Sequence, residues 1–379
     1  MRKERLFTPG PVQIPERVLK VLGEPIIHHR TPEFKEIFVY TRELFKRMVD
    51  SPSENFVYFA SSGTGAMEAA VVNFFRPGDK VVVINAGKFG QRWGEIARTY
   101  GLEVVELSYE WGKSVDIDQL EETLNKNPDT KGVLFQISET STGAYHDYKA
   151  IGRLCKERDC LAVADAITAL GVYNIKPEEE GIDILIGGSQ KALMLPPGLS
   201  VLWFSEKAQK QLNKELPKYY FDVAKEVKKQ KEGTTAYTPA VSLILGLRES
   251  LEMLLEEGMQ KVEERHRLMS LATRRAVEAL GLKIFPENPA ISVTAIYSPQ
   301  AEAIRKEMLK LGIRTAGGQD HLKGKLFRIS HMGYLDMLDH LSAIGALEMA
   351  LSKLENNPTL LGKGVKEFQK VVLEEGKIS

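Results

Sequence analysis

Two cysteines, Cys155 and Cys160, are all that the 379 residues contain. Two thiols cannot frame a disulfide scaffold, nor supply the four ligands of an iron–sulfur cluster. They read as buried free thiols, which makes the cytoplasm the default location. Excess charge is missing too. Lys and Arg total 51 and Asp and Glu total 51, a formal net charge of zero. That leaves no electrostatic case for nucleic acid or an anionic membrane as partner. No apolar run approaches the roughly 20 residues of a membrane span, and the opening Met1-Arg-Lys-Glu-Arg-Leu-Phe7 lacks the apolar core of a secretion signal. The seven histidines show no His-Glu-x-x-His spacing, so no metal is expected. Internal repeats and low-complexity linkers are absent as well.

What is present is ordinary in amount and ordered in pattern. The chain is 43% apolar and 27% charged, and it is long enough for two domains with a sizeable core. Between about 55 and 205, strand-like and helix-like runs alternate. Strands are expected at 55–60, 80–85, 130–136, 161–164, 184–186 and 199–204, with helices at 65–75, 90–100 and 149–158. This predicts an α/β domain around a largely parallel sheet, with ligands at the carboxyl ends of the strands. After 241 the pattern becomes helical to 280, with a break at Gly258. Short strands (291–297, 325–330) and helices (301–311, 334–354) then predict a smaller α/β or α+β domain. The Pro- and Gly-rich Phe7-Thr-Pro-Gly-Pro11 is expected to cross near the site without regular structure. The polar tail from Asn356 receives no role.

Lys191 stands out. It follows an apolar run ending in Gly187-Gly188, inside a small loop closed by Pro196-Pro-Gly198. Such surroundings suit a lysine whose pKa is lowered by desolvation, supplying a neutral amine. Asp165 ends the earlier run Cys160-Leu-Ala-Val-Ala-Asp165. An N-cap would explain it alone, but its place at a strand end points it into the same cleft as Lys191. Ser61-Ser62-Gly63-Thr64-Gly65 opens a helix after a strand, a weak phosphate cup by itself and a stronger one beside Lys191. Phe89 between Gly87 and Gly90 is either core or a ring stacked on a flat ligand. Thr140 lies in a polar turn after a strand. Arg328, a cation inside an apolar run, is either a structural ion pair or a carboxylate clamp. His28-His29-Arg30 leads into an amphipathic helix begun by Pro32.

Taken in order, these segments resemble one family. Thr8-Pro-Gly-Pro11, Ser62-Gly-Thr-Gly-Ala-Met-Glu-Ala-Ala70, Glu139-Thr-Ser-Thr-Gly143, Ala164-Asp-Ala-Ile-Thr-Ala-Leu-Gly171, Gly187-Gly-Ser-Gln-Lys-Ala192 and Leu247-Arg-Glu-Ser-Leu251 are similar to class V aminotransferases dependent on pyridoxal 5′-phosphate, PLP. The nearest branch is the alanine–glyoxylate, serine–glyoxylate and serine–pyruvate enzymes. The resemblance implies an α/β protein of PLP-dependent transferase fold type I: a large domain over 18–255, a smaller α+β domain over 256–379, and segment 1–17 packing near the latter. It implies a homodimer with shared sites. Lys191 is then the Schiff-base lysine and Asp165 the partner of the ring nitrogen. Ser62, Gly63, Thr64 and Gln190 hold the phosphate, Phe89 and Ile167 the two ring faces, and Thr140 the ring oxygen. Arg328 binds the α-carboxylate, while Thr235 and Thr238 reach the partner subunit's phosphate. The implied reaction is ping-pong transfer from a small L-amino acid, serine or alanine, to glyoxylate or pyruvate. The basic stretch at His29-Arg30 also resembles phosphoserine aminotransferase, and aspartate is a further possible donor. Cysteine desulfurases share the class V fold but usually stack a histidine where Phe89 falls. A non-catalytic PLP-fold protein and a nucleotide binder are rival readings.

Overall fold

The computed structural model describes residues 3–376. The outer ends of the expected 1–17 and 256–379 segments, residues 1–2 and 377–379, lie outside them. Seven strands form the main sheet, in the spatial order Phe56–Phe59, Ser200–Phe204, Ile184–Gly188, Leu161–Asp165, Gly132–Gln136, Lys80–Asn85, Glu103–Ser108. Only Ser200–Phe204 runs against its neighbours. The central strands read as unbroken apolar runs because both faces are covered. Val81, Val83, Val163 and Ile186 enter one core, and Val82, Ile84, Ala164 and Leu185 enter the core on the opposite face. That split is the two-residue strand period expressed in packing, and each fully buried Val, Leu, Ile or Phe contributes roughly 1.5–3 kcal/mol. The edge strand Glu103–Ser108 alternates exposed and half-buried residues, so it offers no apolar run to the eye and escaped sequence reading.

A second sheet has the order Arg5–Phe7, Ile313–Gly317, Leu326–Ser330, Val293–Tyr297, Lys283–Ile284. Its first pair is parallel and the rest antiparallel. Phe7 is therefore in a strand, a correction to the expected irregular start. A single buried residue after half-buried Arg5 and Leu6, with Thr8-Pro-Gly following, reads as a loop until its partner strand is known. Helices Val241–Glu257 and Met259–Ala279 meet at Gly258, whose φ of 86° marks the expected break. The tail forms helix Lys363–Glu375, which lays Phe368 and Val372 against Met269, Ala272 and Ala276. Its amphipathic stretch thus has a packing task.

Chain segment 8–12 bridges the two sheets. The backbone N–H of Val12 donates to Gln190 at 3.2 Å. A Cβ on Gly10 would lie 2.3 Å from the Lys191 amine, and φ there is +133°, so only glycine fits.

Candidate active site

Lys191 and Asp165 sit at the carboxyl ends of adjacent parallel strands, where Asp165 is in register with Ile186. The Lys191 loop is tied down locally. Ser189 donates to Pro196 O at 2.7 Å and accepts from Leu199 N at 3.1 Å, and Met194 N donates to Lys191 O at 2.9 Å. The Lys191 amine donates to Pro9 O at 2.6 Å. Desolvation, with the Arg328 charge second, draws the amine down to about 8, although the side chain keeps some solvent contact. Asp165 is 6% exposed and accepts from Ile167 N at 2.8 Å. Burial pushes its carboxyl up to about 7 against that hydrogen bond. No helix follows it, so the N-cap explanation falls away.

Both groups line one cavity of about 80 Å³ with Ser62, Gly63, Thr64, Phe89, Thr140, Ile167 and Gln190. Helix Gly63–Phe74 begins two residues earlier than expected and points its first N–H groups at this space, with no side-chain cap from Ser62. A Cβ on Gly63 would meet Ile167 Cδ1 at 2.3 Å, so this approach requires glycine. The Gln190 side-chain oxygen is buried without a partner. A helix start and two hydroxyls form a cradle that a phosphate would fill, and of the Gln190 amide it is the NH2 end that can donate there. Phe89 lies in the first turn of helix Lys88–Thr99, a correction to its expected place at a strand end.

Arg328 is 7% exposed and stands just behind Thr140. It donates to Thr140 O at 2.8 Å and to Gly317 O at 2.7 Å. Among the described residues no carboxylate lies within 4.0 Å of it, so the structural ion pair is absent. Its Nε is buried and unpartnered. Burial draws it down to about 10. A buried, uncompensated guanidinium suits a substrate carboxylate.

Thr235 and Thr238 do not join this group. They line another pocket with Tyr58, Tyr220 and Tyr237, and Arg30 donates to Thr235 O at 3.0 Å. His28 Nδ1 accepts from Arg30 N at 3.2 Å, so His28 serves as local turn polarity. Three cavity-side residues were missed. Arg92 packs over Phe89 at 4.9 Å and donates to Thr64 Oγ1 at 3.1 Å, and its i, i+3 spacing from Phe89 was the available signal. Thr168 bonds the Thr140 hydroxyl at 2.9 Å, and its signal was three residues' distance from Asp165. Glu139 is fully buried beneath the site, and nothing in a polar turn announces that. A larger hollow of about 260 Å³ touches Met194 and Asp339, but its Arg265 is already neutralised by Glu257 and it contains no lysine–acid pair.

A mainly parallel sheet with a lysine and an acid at neighbouring strand ends is the architecture of the type I PLP-dependent transferases. Residues 6–317 match the family model for aminotransferase class-V. The chain belongs to that family, and amino-group transfer is its class of reaction. It is 40% identical to the small subunit of a Synechococcus soluble hydrogenase, over 98% of each chain. It is 35% identical to a serine–glyoxylate aminotransferase of Methylorubrum extorquens, over 92% of this chain and 91% of that one. The solved aspartate aminotransferase of subgroup IV from Thermus thermophilus is 35% identical with a TM-score of 0.86, covering 92% of this chain and 99% of that one. Among the described residues no group of three or more His, Cys, Asp or Glu could hold a metal ion, and no helix is long and apolar enough to cross a membrane.

Proposed function

We propose that this chain is a PLP-dependent aminotransferase that moves the amino group of a small L-amino acid, serine or alanine favoured, to glyoxylate or pyruvate in a ping-pong cycle. One observation carries the reading: the Lys191 amine and the Asp165 carboxyl share a cavity, with the uncompensated Arg328 guanidinium behind it. The serine–glyoxylate relative supports the choice of substrates.

Bound PLP supplies an electron sink for the charge left when the substrate's Cα proton departs. This chain's residues do the rest. Ser62, Gly63, Thr64 and Gln190 would hold the phosphate. Phe89 and Ile167 would hold the two faces of the ring, and Thr140, whose hydroxyl bonds Thr168 at 2.9 Å, would lie beside its oxygen. Asp165 would pair with the protonated ring nitrogen, a cation that favours the ionised carboxylate despite burial. Arg328 would fix the α-carboxylate. Lys191, partly neutral near pH 8, would anchor the cofactor, take the substrate's Cα proton as base and deliver it as acid to the cofactor's C4′ carbon. Thr235 and Thr238 act across a homodimer interface; exposed Ile26, Val39 and Tyr219 favour such a covered face. A large domain over 18–255 and a small one over 256–379 divide the two sheets. The buried thiols Cys155 and Cys160 fit a cytoplasmic location. Their burial also disfavours a desulfurase, which needs a mobile cysteine.

Aspartate or phosphoserine as donor is the runner-up. Arg30, bonded to Thr234 and Thr235, adds a cation to the segment that would reach the partner's site, and the Thermus relative is an aspartate enzyme. Borohydride trapping of the PLP-loaded protein, followed by peptide mapping, tests the reading. A pyridoxyl adduct on Lys191 is expected. A colourless protein, or an adduct elsewhere, overturns it. Watching the visible band collapse with serine, alanine, aspartate and phosphoserine in turn then ranks the donors.

A further inference from the structure

Glu139 is 0% exposed, and no Lys, Arg or His nitrogen of the described residues lies within 4.0 Å of its carboxylate. Its two oxygens face only donors. Oε2 accepts from Phe89 N and Gly90 N, each at 3.1 Å. Oε1 accepts from Ser141 N at 3.1 Å and from the Ser141 hydroxyl. Lys88 N donates to Ser141 Oγ at 3.0 Å, which leaves the Ser141 hydroxyl hydrogen for Glu139. Three backbone N–H groups and a hydroxyl converging on one carboxyl favour its ionised form. Burial raises the carboxyl's pKa, and the hydrogen bonds from Ser141, Gly90 and Phe89 work against that shift.

The neighbours show what the anion is placed to do. Oε2 grips the first turn of the helix that carries both Phe89 and Arg92. A Cβ on Gly87 would lie 2.5 Å from the Glu139 carboxyl carbon, so the close approach requires the bare glycine. The next carbonyl along the chain, Thr140 O, receives Arg328. One dipeptide therefore joins the helix start at Phe89 to Arg328, and it lies three residues beyond Gln136, the register partner of Asp165.

Resting on the proposed function, we propose that Glu139 is an anionic positioning residue of this site. It sets the plane of Phe89 through the helix start, and its charge, on the chain that continues from the strand paired with that of Asp165, favours protonation of the bound ring system.

The test uses the full chain loaded with PLP and reads the pH midpoint of its visible absorption beside the PLP dissociation constant. Glu139→Gln removes the charge, and a midpoint lowered by about one pH unit is expected. Glu139→Asp keeps the charge but withdraws it from Phe89 and Gly90. A midpoint within about 0.3 unit of wild type, with PLP binding about fivefold weaker, is expected there. A Gln variant with an unmoved midpoint overturns the proposal. If the Gln variant does not fold, Glu139→Asp decides alone: weaker binding at an unmoved midpoint supports the proposal, and unchanged binding overturns it. A wild-type protein without a visible band defeats the proposed function itself, whereas a wild-type band with indifferent Glu139 variants defeats only this assignment.

Discussion

Two regions of this molecule bury titratable side chains without ion pairs, and they do so to opposite ends. In the cavity at the main sheet, Asp165 is pushed up to about 7 and Lys191 drawn down to about 8, so both sit near neutral pH. Beside the small sheet, His266 is lowered to about 3, His340 to about 4, and His331 well below its usual value. His266 bonds Val262 O at 2.6 Å and leaves its Nε2 unpartnered, while His331 and His340 form a chain. His340 Nδ1 donates to Asp336 O at 2.8 Å, which leaves its Nε2 to accept from His331 Nδ1 at 2.8 Å. His331 Nε2 then accepts from the Thr294 hydroxyl at 2.8 Å. Neutral imidazoles satisfy every step of that chain, and none of the three rings lines the neighbouring hollow. Desolvation alone therefore does not make a site. The cavity group differs in having an open space beside it and partners still to be met.

Four experiments probe that contrast, beginning with the largest effect. Lys191→Ala is expected to lower turnover by at least about 10³-fold while PLP still binds weakly. Single-turnover kinetics with each donor checks this, and near-normal turnover would place the chemistry elsewhere. Asp165→Asn is expected to lower kcat by about 10²-fold with a modest loss of cofactor affinity; an unchanged rate would take Asp165 out of the reaction. For Arg328→Lys the expected change is a KM for the amino donor raised by about 10- to 100-fold, because a point charge replaces a planar fork. A kcat effect alone would argue against the carboxylate clamp.

The smallest effect belongs to the histidine chain and is one of stability. Its folded pKa values lie below the unfolded value of about 6.5. Above that pH both states are neutral and the groups contribute nothing. As pH falls from about 6.5 toward 4, the unfolded chain takes up protons that the folded chain refuses. Stability should drop by about 1.4 kcal/mol per pH unit for each histidine until its folded value is reached. Unfolding midpoints measured between pH 7 and pH 4 should fall, and His340→Phe should flatten the slope. An unaltered slope would show that the chain is wetter than its geometry indicates.

Much of the fold was readable because the main sheet is covered on both faces. Strands 80–85, 161–164, 184–186 and 199–204 are apolar runs for that reason, and Gly258 announced the helix break. The edge strand Glu103–Ser108 and the strand start at Phe7 were not readable, since half-exposed strands carry little apolar signal. Nine residues expected at the site line the cavity. Arg92 and Thr168 carried only their spacing from Phe89 and Asp165 as a signal, and Glu139 carried none, because its meaning is a contact across the fold.

The chain by itself determined the order of strands and helices, the placing of Lys191 and Asp165 at strand ends, and the bare glycines at 10 and 63. These follow from hydrophobic period and backbone sterics, which act over a few residues. Only the tertiary structure decided that Lys191 is dry enough to approach neutrality, that Arg328 has no carboxylate within 4.0 Å, and that Glu139 is buried against the N–H groups of Phe89 and Gly90. Desolvation and charge pairing depend on which distant segments close around a group, and that is a property of the packed molecule.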